Sequence, residues 1–197
     1  QAENSNKGAF IFESQDVVLD MSDTENDPQI NFPPEYDTHF VAGKESWRGF
    51  YMRKLQVTLP EEFKRTGKPV SFSAENFLLD TYGVSGKFSI ENLIADNQGT
   101  TSADASGWHY TLDLIEATFS CSKIKGGKLI GSIQLPVQQS TSKDNNPQGI
   151  RFEGSFDENE YQLKASSLKD IRFNIWKSTA EIDKSSYLEL KVKDKRF

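Results

Sequence analysis

Four carboxylates and an amide crowd into the eight residues Asp20-Met21-Ser22-Asp23-Thr24-Glu25-Asn26-Asp27. A hard cation would relieve repulsion at that density. Calcium takes about six to eight oxygens from carboxylates, amides and backbone carbonyls, so Asp20, Asp23, Glu25 and Asp27 are the candidate metal ligands and Ca2+ the candidate cofactor. The stretch lacks the turn glycine and the closing Glu of an EF-hand loop, and its alternative reading is a solvated acidic loop. A second kind of chemistry is stacking on sugar rings, for which Trp47, Trp108, Trp176, Tyr36, Tyr51, Tyr82 and Tyr110 are available. Trp108 and Tyr110 share a parity with Leu112 and Leu114, which assigns them to packing. Trp176 opposes the parity of Ile171, Phe173 and Ile175, and Trp47 stands at a loop edge beside Arg48, so Trp47 and Trp176 are the candidate ligand-binding residues.

Reactive arrangements are sparse. Asp113 and Glu116 are spaced so that they could face each other across a cleft as glycosidase carboxylates do, but a chain with 29 acids offers many such pairs. His39 and His109 have no metal-ligand spacing. Cys121 is the sole cysteine, which removes any internal disulfide; its place in an apolar strand phase points to an inert, buried thiol. There is no Gly-x-Ser-x-Gly, no phosphate-cradling loop and no dinucleotide fingerprint. The expectation is therefore a protein without catalytic residues.

Bulk composition narrows the classes further. Of 197 residues, 12% are aromatic, with 14 Phe, and this bias toward aromatic and β-branched residues favours strands. Residues 1–43 hold nine acids against Lys7, a net −8 within a chain of −6. An acidic chain without a basic aromatic surface is a poor nucleic-acid partner. No apolar run is long enough to span a membrane as a helix. The first residues show no charged start followed by an apolar core, so the reading is of a module processed or cut from something larger.

The elements that must position these residues centre on Trp108 to Val137, read as two long strands joined by a glycine turn within Ser122 to Gly127. Leu129, Gly131, Ile133, Leu135 and Val137 alternate with polar residues. In the first half the apolar parity switches between Leu114 and Ile115, which predicts a bulge or a crossing between sheets. Further strands are expected at Phe10 to Phe12, Val17 to Leu19, Arg48 to Leu59, Val70 to Ala74, Phe77 to Leu79, Val84 to Ile90, Ile150 to Phe156, Tyr161 to Ala165, Ile171 to Trp176 and Tyr187 to Val192. Between Pro60 and Lys68 there is room for one helical turn. The polar stretch from Asp20 to Gly43 is unusually long for a loop; Ile30, Phe32, Tyr36, Phe40 and Val41 are spaced as anchors against the β body, and Pro28, Pro33 and Pro34 limit its freedom in the unfolded chain. The chain thus divides into 1–43, an acidic strand and loop packed on the body, and 44–197, the β-rich body.

Val84-x-Gly86-x-Phe88, Leu129-x-Gly131-x-Ile133 and Phe152-x-Gly154-x-Phe156 repeat one pattern with the glycine on the core parity. Glycine weakens an isolated strand, so its recurrence predicts places where a large side chain meets the backbone. These strands, the Leu59-Pro60 and Leu135-Pro136 closures and the continuing meander resemble repetitive β segments of very large bacterial surface proteins and of contractile, phage-tail-like injection assemblies, over most of residues 48–197. That resemblance implies a scaffold or spacer module at a cell surface, in the medium or on a secreted particle. It carries no site residues. The overall expectation is an all-β protein, an antiparallel β-sandwich or short β-solenoid built from repeated long hairpins, acting as a non-catalytic structural or interaction module. Its partners would be neighbouring domains or subunits of a larger assembly; the alternative is a glycan-binding β-sandwich assisted by calcium.

Overall fold

The computed structural model describes residues 8–36, 44–64, 68–94, 109–134 and 149–193. They form eleven strands: β1 (Ile11–Asp20), β2 (Gly49–Thr58), β3 (Ser71–Asp80), β4 (Gly83–Ile94), β5 (His109–Ser120), β6 (Lys123–Gln134), β7 (Ile150–Asp157), β8 (Glu160–Ser167), β9 (Ile171–Ile175), β10 (Ser178–Ile182) and β11 (Tyr187–Lys193). The all-β, antiparallel expectation holds. The described residues include two 3-10 turns, Lys44–Ser46 and Glu61–Phe63. Nine strands hydrogen-bond side by side in one open sheet, β1-β2-β3-β4-β5-β6-β7-β8-β11, and β9 and β10 form a separate pair. The strand order shows an antiparallel sheet of nine and does not itself show the expected sandwich or short solenoid. Two-residue connections join β3 to β4, β5 to β6 and β7 to β8, so each of these pairs is a local hairpin, and the other neighbours are brought together by longer connections.

Several expected boundaries move. Phe10 to Phe12 and Val17 to Leu19 belong to one continuous strand, β1, and Val70 to Ala74 and Phe77 to Leu79 to one strand, β3. Both strands carry a non-glycine residue in the left-handed region, Asp16 and Asn76, each with φ 48°. Register places them in line: Gln15 and Val17 face Lys54 and Met52, and these face Glu75 and Phe77, so Asp16, Arg53 and Asn76 lie in one row. The β3–β4 register shifts between Glu75 and Leu78, leaving Asn76 and Phe77 opposite Gly86 alone. An extra residue of this kind reverses the parity of the rest of its strand. Apolar residues in β3 are even before it (Phe72, Ala74) and stand on both parities after it, Phe77 and Leu79 on one and the buried Leu78 on the other. This register shift lies between β3 and β4; β5, where parity also switches, is one continuous strand from His109 to Ser120, as the expected bulge would allow.

The glycine turn is also displaced. β5 and β6 are joined by Cys121 and Ser122, both left-handed (φ 49° and 62°), while Gly126 and Gly127 lie inside β6. A tight hairpin turn needs such φ values, and the neighbouring strand holds them here: Ser122 N donates to Val84 O (2.8 Å), Val84 N to Ser122 Oγ (3.0 Å), and Cys121 N to Ser85 Oγ (2.8 Å).

The chain gathers into two compact units. The first comprises residues 1–64, 69–91 and 116–127, the second 65–68, 92–115 and 128–197. In the first, Tyr51 and Leu78 on one side of the sheet are fully buried under Ile30, Tyr36 and Trp47 from the long β1–β2 connection, with Val18, Phe32 and Cys121 packed against them. On the reverse side Phe50, Phe77, Phe88 and Phe119 form a row of edge-to-face rings 5.6–6.0 Å apart, since alternate residues of a strand face opposite ways. In the second unit Phe152 lies against Gly131: a Cβ there would meet the Thr111 carbonyl and sit 2.5 Å from the Phe152 ring. Gly154, from the same repeat, has only ordinary contacts at 3.9 Å or beyond, and Gly86 takes φ 136° against the β3 bulge. Three glycines of one pattern therefore answer three different demands. His39, Phe40, Val41 and Trp108 fall outside the described residues.

Candidate functional site

Polar side chains converge in the first unit at Asp80, the last residue of β3. Its Oδ2 accepts the Tyr36 hydroxyl and the Trp47 indole N–H, each at 2.6 Å, and its Oδ1 accepts the backbone N–H of Tyr82 at 2.7 Å. Tyr36 Oη also lies 3.5 Å from Ser85 Oγ. Burial, with the hydrogen bond to Asp80 next, pushes the Tyr36 hydroxyl far above the usual tyrosine range. Trp47 lies over Gly49, where a Cβ would come 2.5 Å from Cζ2, so β2 carries glycine where the indole presses on its backbone. Beside this cluster Glu35 accepts the Ser120 hydroxyl at 2.9 Å and pairs with Lys125 at 3.2 Å. Burial raises the Glu35 carboxyl, but its own backbone N–H, Ser120 and Lys125 together hold it below the usual carboxylate range. The arrangement uses every polar group named to fasten the 21–48 connection onto the sheet. Ser85 has no neighbouring base among these contacts; its hydroxyl is occupied by Cys121 N and Tyr36.

Trp47 is therefore no sugar platform. It is 1% exposed, because Asp80 offers an acceptor that lets the whole indole be buried. Sequence reading had only its loop-edge position to go on; the signal that could have found the site is an acid ending a strand with Trp and Tyr available from a preceding long loop.

The acidic stretch does not gather its oxygens. Asp20 is buried and accepts Ser22 N at 2.8 Å, Asp27 accepts Gln29 N at 2.9 Å, and Asp23 pairs with Arg48. Ser22 Oγ accepts the backbone N–H groups of Thr24 and Glu25. Among the described residues no three His, Cys, Asp or Glu side chains stand close enough to hold one ion. Asp113 pairs with Arg151 at 3.6 Å and Glu116 with Lys87 at 3.3 Å, so each carboxylate of the glycosidase-like pair has its own cation. Cys121 is partly buried at the β5–β6 turn.

Trp176 has a different setting. β9 and β10 pair with Ile175 opposite Ser178, which makes Trp176 and Lys177 the two-residue tip of a hairpin. The Trp176 side chain is 98% exposed and its backbone is left-handed, φ 53°. For a bulky residue this is a costly conformation. The arm below it is braced by cross-strand pairs: Arg172 grips Glu181 with two contacts (3.0 and 3.4 Å), and Thr179 donates to Asn174 at 3.2 Å. A two-stranded arm thus holds a bare indole in water, where both ring faces are open to stacking.

Comparison of the chain with protein-family models, curated proteins and solved structures returns no match. Among the described residues no helix is long and apolar enough to cross a membrane.

Proposed function

We propose that this chain is a non-catalytic interaction module that docks a protein subunit or neighbouring domain of a larger assembly through the Trp176 tip. The observation that carries the reading is the fully exposed indole held in a left-handed turn. Exposed Trp side chains are disproportionately the anchors of interfaces, because they cover a large area with few rotatable bonds. Backbone strain kept at an exposed tip is a feature that stability alone would remove. The carboxylates with possible catalytic spacing are committed to Arg151 and Lys87, in keeping with a module that carries no reaction.

A glycan-binding role is the second reading, favoured by the same open ring faces. The two part in one experiment on the full chain and Trp176→Ala: a glycan array together with affinity capture from the source organism. The expected result is a blank array and a single captured protein that Trp176→Ala loses. Reproducible sugar binding that Trp176→Ala abolishes overturns the protein-docking reading in favour of the glycan. A blank array together with capture unchanged by Trp176→Ala refutes both.

A further inference from the structure

The last strand of the sheet, β11, hydrogen-bonds to β8 alone among the described residues. Ser186 O, just before the strand, accepts Ser167 N at 3.1 Å. Backbone groups in an antiparallel pair alternate between facing the partner and facing away. Leu188, Leu190 and Val192 therefore turn theirs toward β8, and Tyr187, Glu189, Lys191 and Lys193 turn theirs outward. Side chains alternate as well. Lys164 Nζ sits 5.4 Å from the centre of the Tyr187 ring, Gln162 donates to Glu189 at 2.5 Å, and Lys191 lies 3.2 Å from Glu189 on that polar face. Leu188, Leu190 and Val192 stand opposite Ala165, Leu163 and Tyr161 on the other face. Leu188 is 72% exposed although it belongs to this apolar row.

We propose that β11 is a dimerisation edge, at which a second copy of the chain adds its own β11 antiparallel about a two-fold axis through Leu190. In that register Glu189 meets Lys191 of the second copy, twice by symmetry. Leu190 meets Leu190, Leu188 meets Val192, and Tyr187 meets Lys193, which can lie over its ring as Lys164 does. Outward-facing backbone groups oppose outward-facing ones, so each such pair exchanges two hydrogen bonds. Neighbouring registers fail. A slip of one residue sets outward-facing groups against inward-facing ones. A slip of two, in either direction, sets Glu189 against Glu189 or Lys191 against Lys191, and like charges directly opposite repel. The other edge of the sheet, β1, carries Glu13, Asp16 and Asp20 and no base, so it has no such self-complementary register. This inference concerns a surface other than Trp176 and stands independently of the docking role proposed for that residue.

The experiment is sedimentation velocity over a range of concentrations on the full chain, with Glu189→Lys, Lys191→Glu and the double exchange, each checked by circular dichroism. The wild type is expected to show a reversible monomer–dimer equilibrium. Each single reversal, which turns two attractive pairs repulsive, should raise the dissociation constant about tenfold or more, and the double exchange should restore it. As a second measurement, in a Cys121→Ser background, Leu190→Cys should cross-link under mild oxidation while Leu188→Cys should not. Residues opposed on the axis in a non-hydrogen-bonded pair have Cα atoms about 4.5 Å apart, within disulfide range. Should the charge variants fail to fold, this cysteine pair settles the matter. A wild type that stays monomeric with no Leu190→Cys cross-link overturns the proposal. So does a dimer indifferent to both reversals, or equal cross-linking at both positions.

Discussion

Replacing Asp80 with alanine tests whether the polar cluster fastens the 21–48 connection. The substitution removes the acceptor of the Tyr36 hydroxyl and of the Trp47 indole N–H, both at 2.6 Å, on side chains that are almost wholly buried. A buried donor left without a partner costs about 1–3 kcal/mol. Tyr36 keeps Ser85 Oγ at 3.5 Å as a weaker alternative, so its share falls at the low end, and the total loss should be about 2–5 kcal/mol. Asp80→Asn retains one acceptor oxygen but turns an amide toward donors, and should fall between the two. Urea unfolding followed by both indole fluorescence and far-ultraviolet circular dichroism measures the change, with native-state proteolysis of the 21–48 segment as a structural readout. A double-mutant cycle with Trp47→Phe, which deletes the N–H itself, should show a coupling of about 1 kcal/mol, because the second change removes a donor already orphaned. Asp80→Ala within about 0.5 kcal/mol of the wild type, or strict additivity with Trp47→Phe, would refute the reasoning.

Single contacts set three other expected outcomes. Gly131→Ala should destabilise by about 1–3 kcal/mol because the new methyl must displace the Thr111 carbonyl and the Phe152 ring, whereas Gly154→Ala, with nearest neighbours at 3.9 Å, should be neutral or slightly stabilising; thermal melts of the two variants side by side check the contrast. Tyr36 has a folded-state pKa raised above its unfolded value, so its contribution is complete below about pH 10, the ordinary tyrosine value, and is lost as pH rises above it. Melting temperature should fall as pH rises above about 10, and Tyr36→Phe should flatten that fall; an equal slope in both proteins goes against the assignment. Trp176→Gly should raise stability by about 1 kcal/mol through relief of the left-handed backbone while abolishing capture of the proposed partner, a separation readable from one melt and one binding assay.

Alternation alone made most of the strands legible. Ile150 to Phe156, Tyr161 to Ala165 and Tyr187 to Val192 could be placed from parity because successive side chains of a strand point to opposite faces of the sheet. The exposed character of Trp176 was readable in the same way, from its parity against Ile171, Phe173 and Ile175. Parity failed where backbone conformation came from a neighbour. Asp16 and Asn76 join what read as separate strands by taking a left-handed φ in the middle of β1 and β3, and nothing local distinguishes them from any other Asp or Asn. Cys121 and Ser122 make the hairpin turn in place of the nearby Lys-Gly-Gly because Val84 and Ser85 of β4 supply its hydrogen bonds. The fate of Trp47 was settled by an acceptor 33 residues away, Asp80. The sequence by itself thus determined which residues alternate and which single aromatic stands apart. Only the tertiary structure decided where chain direction reverses, which glycine is obligatory and which indole is buried, because each of those depends on hydrogen bonds and contacts between residues far apart in the chain.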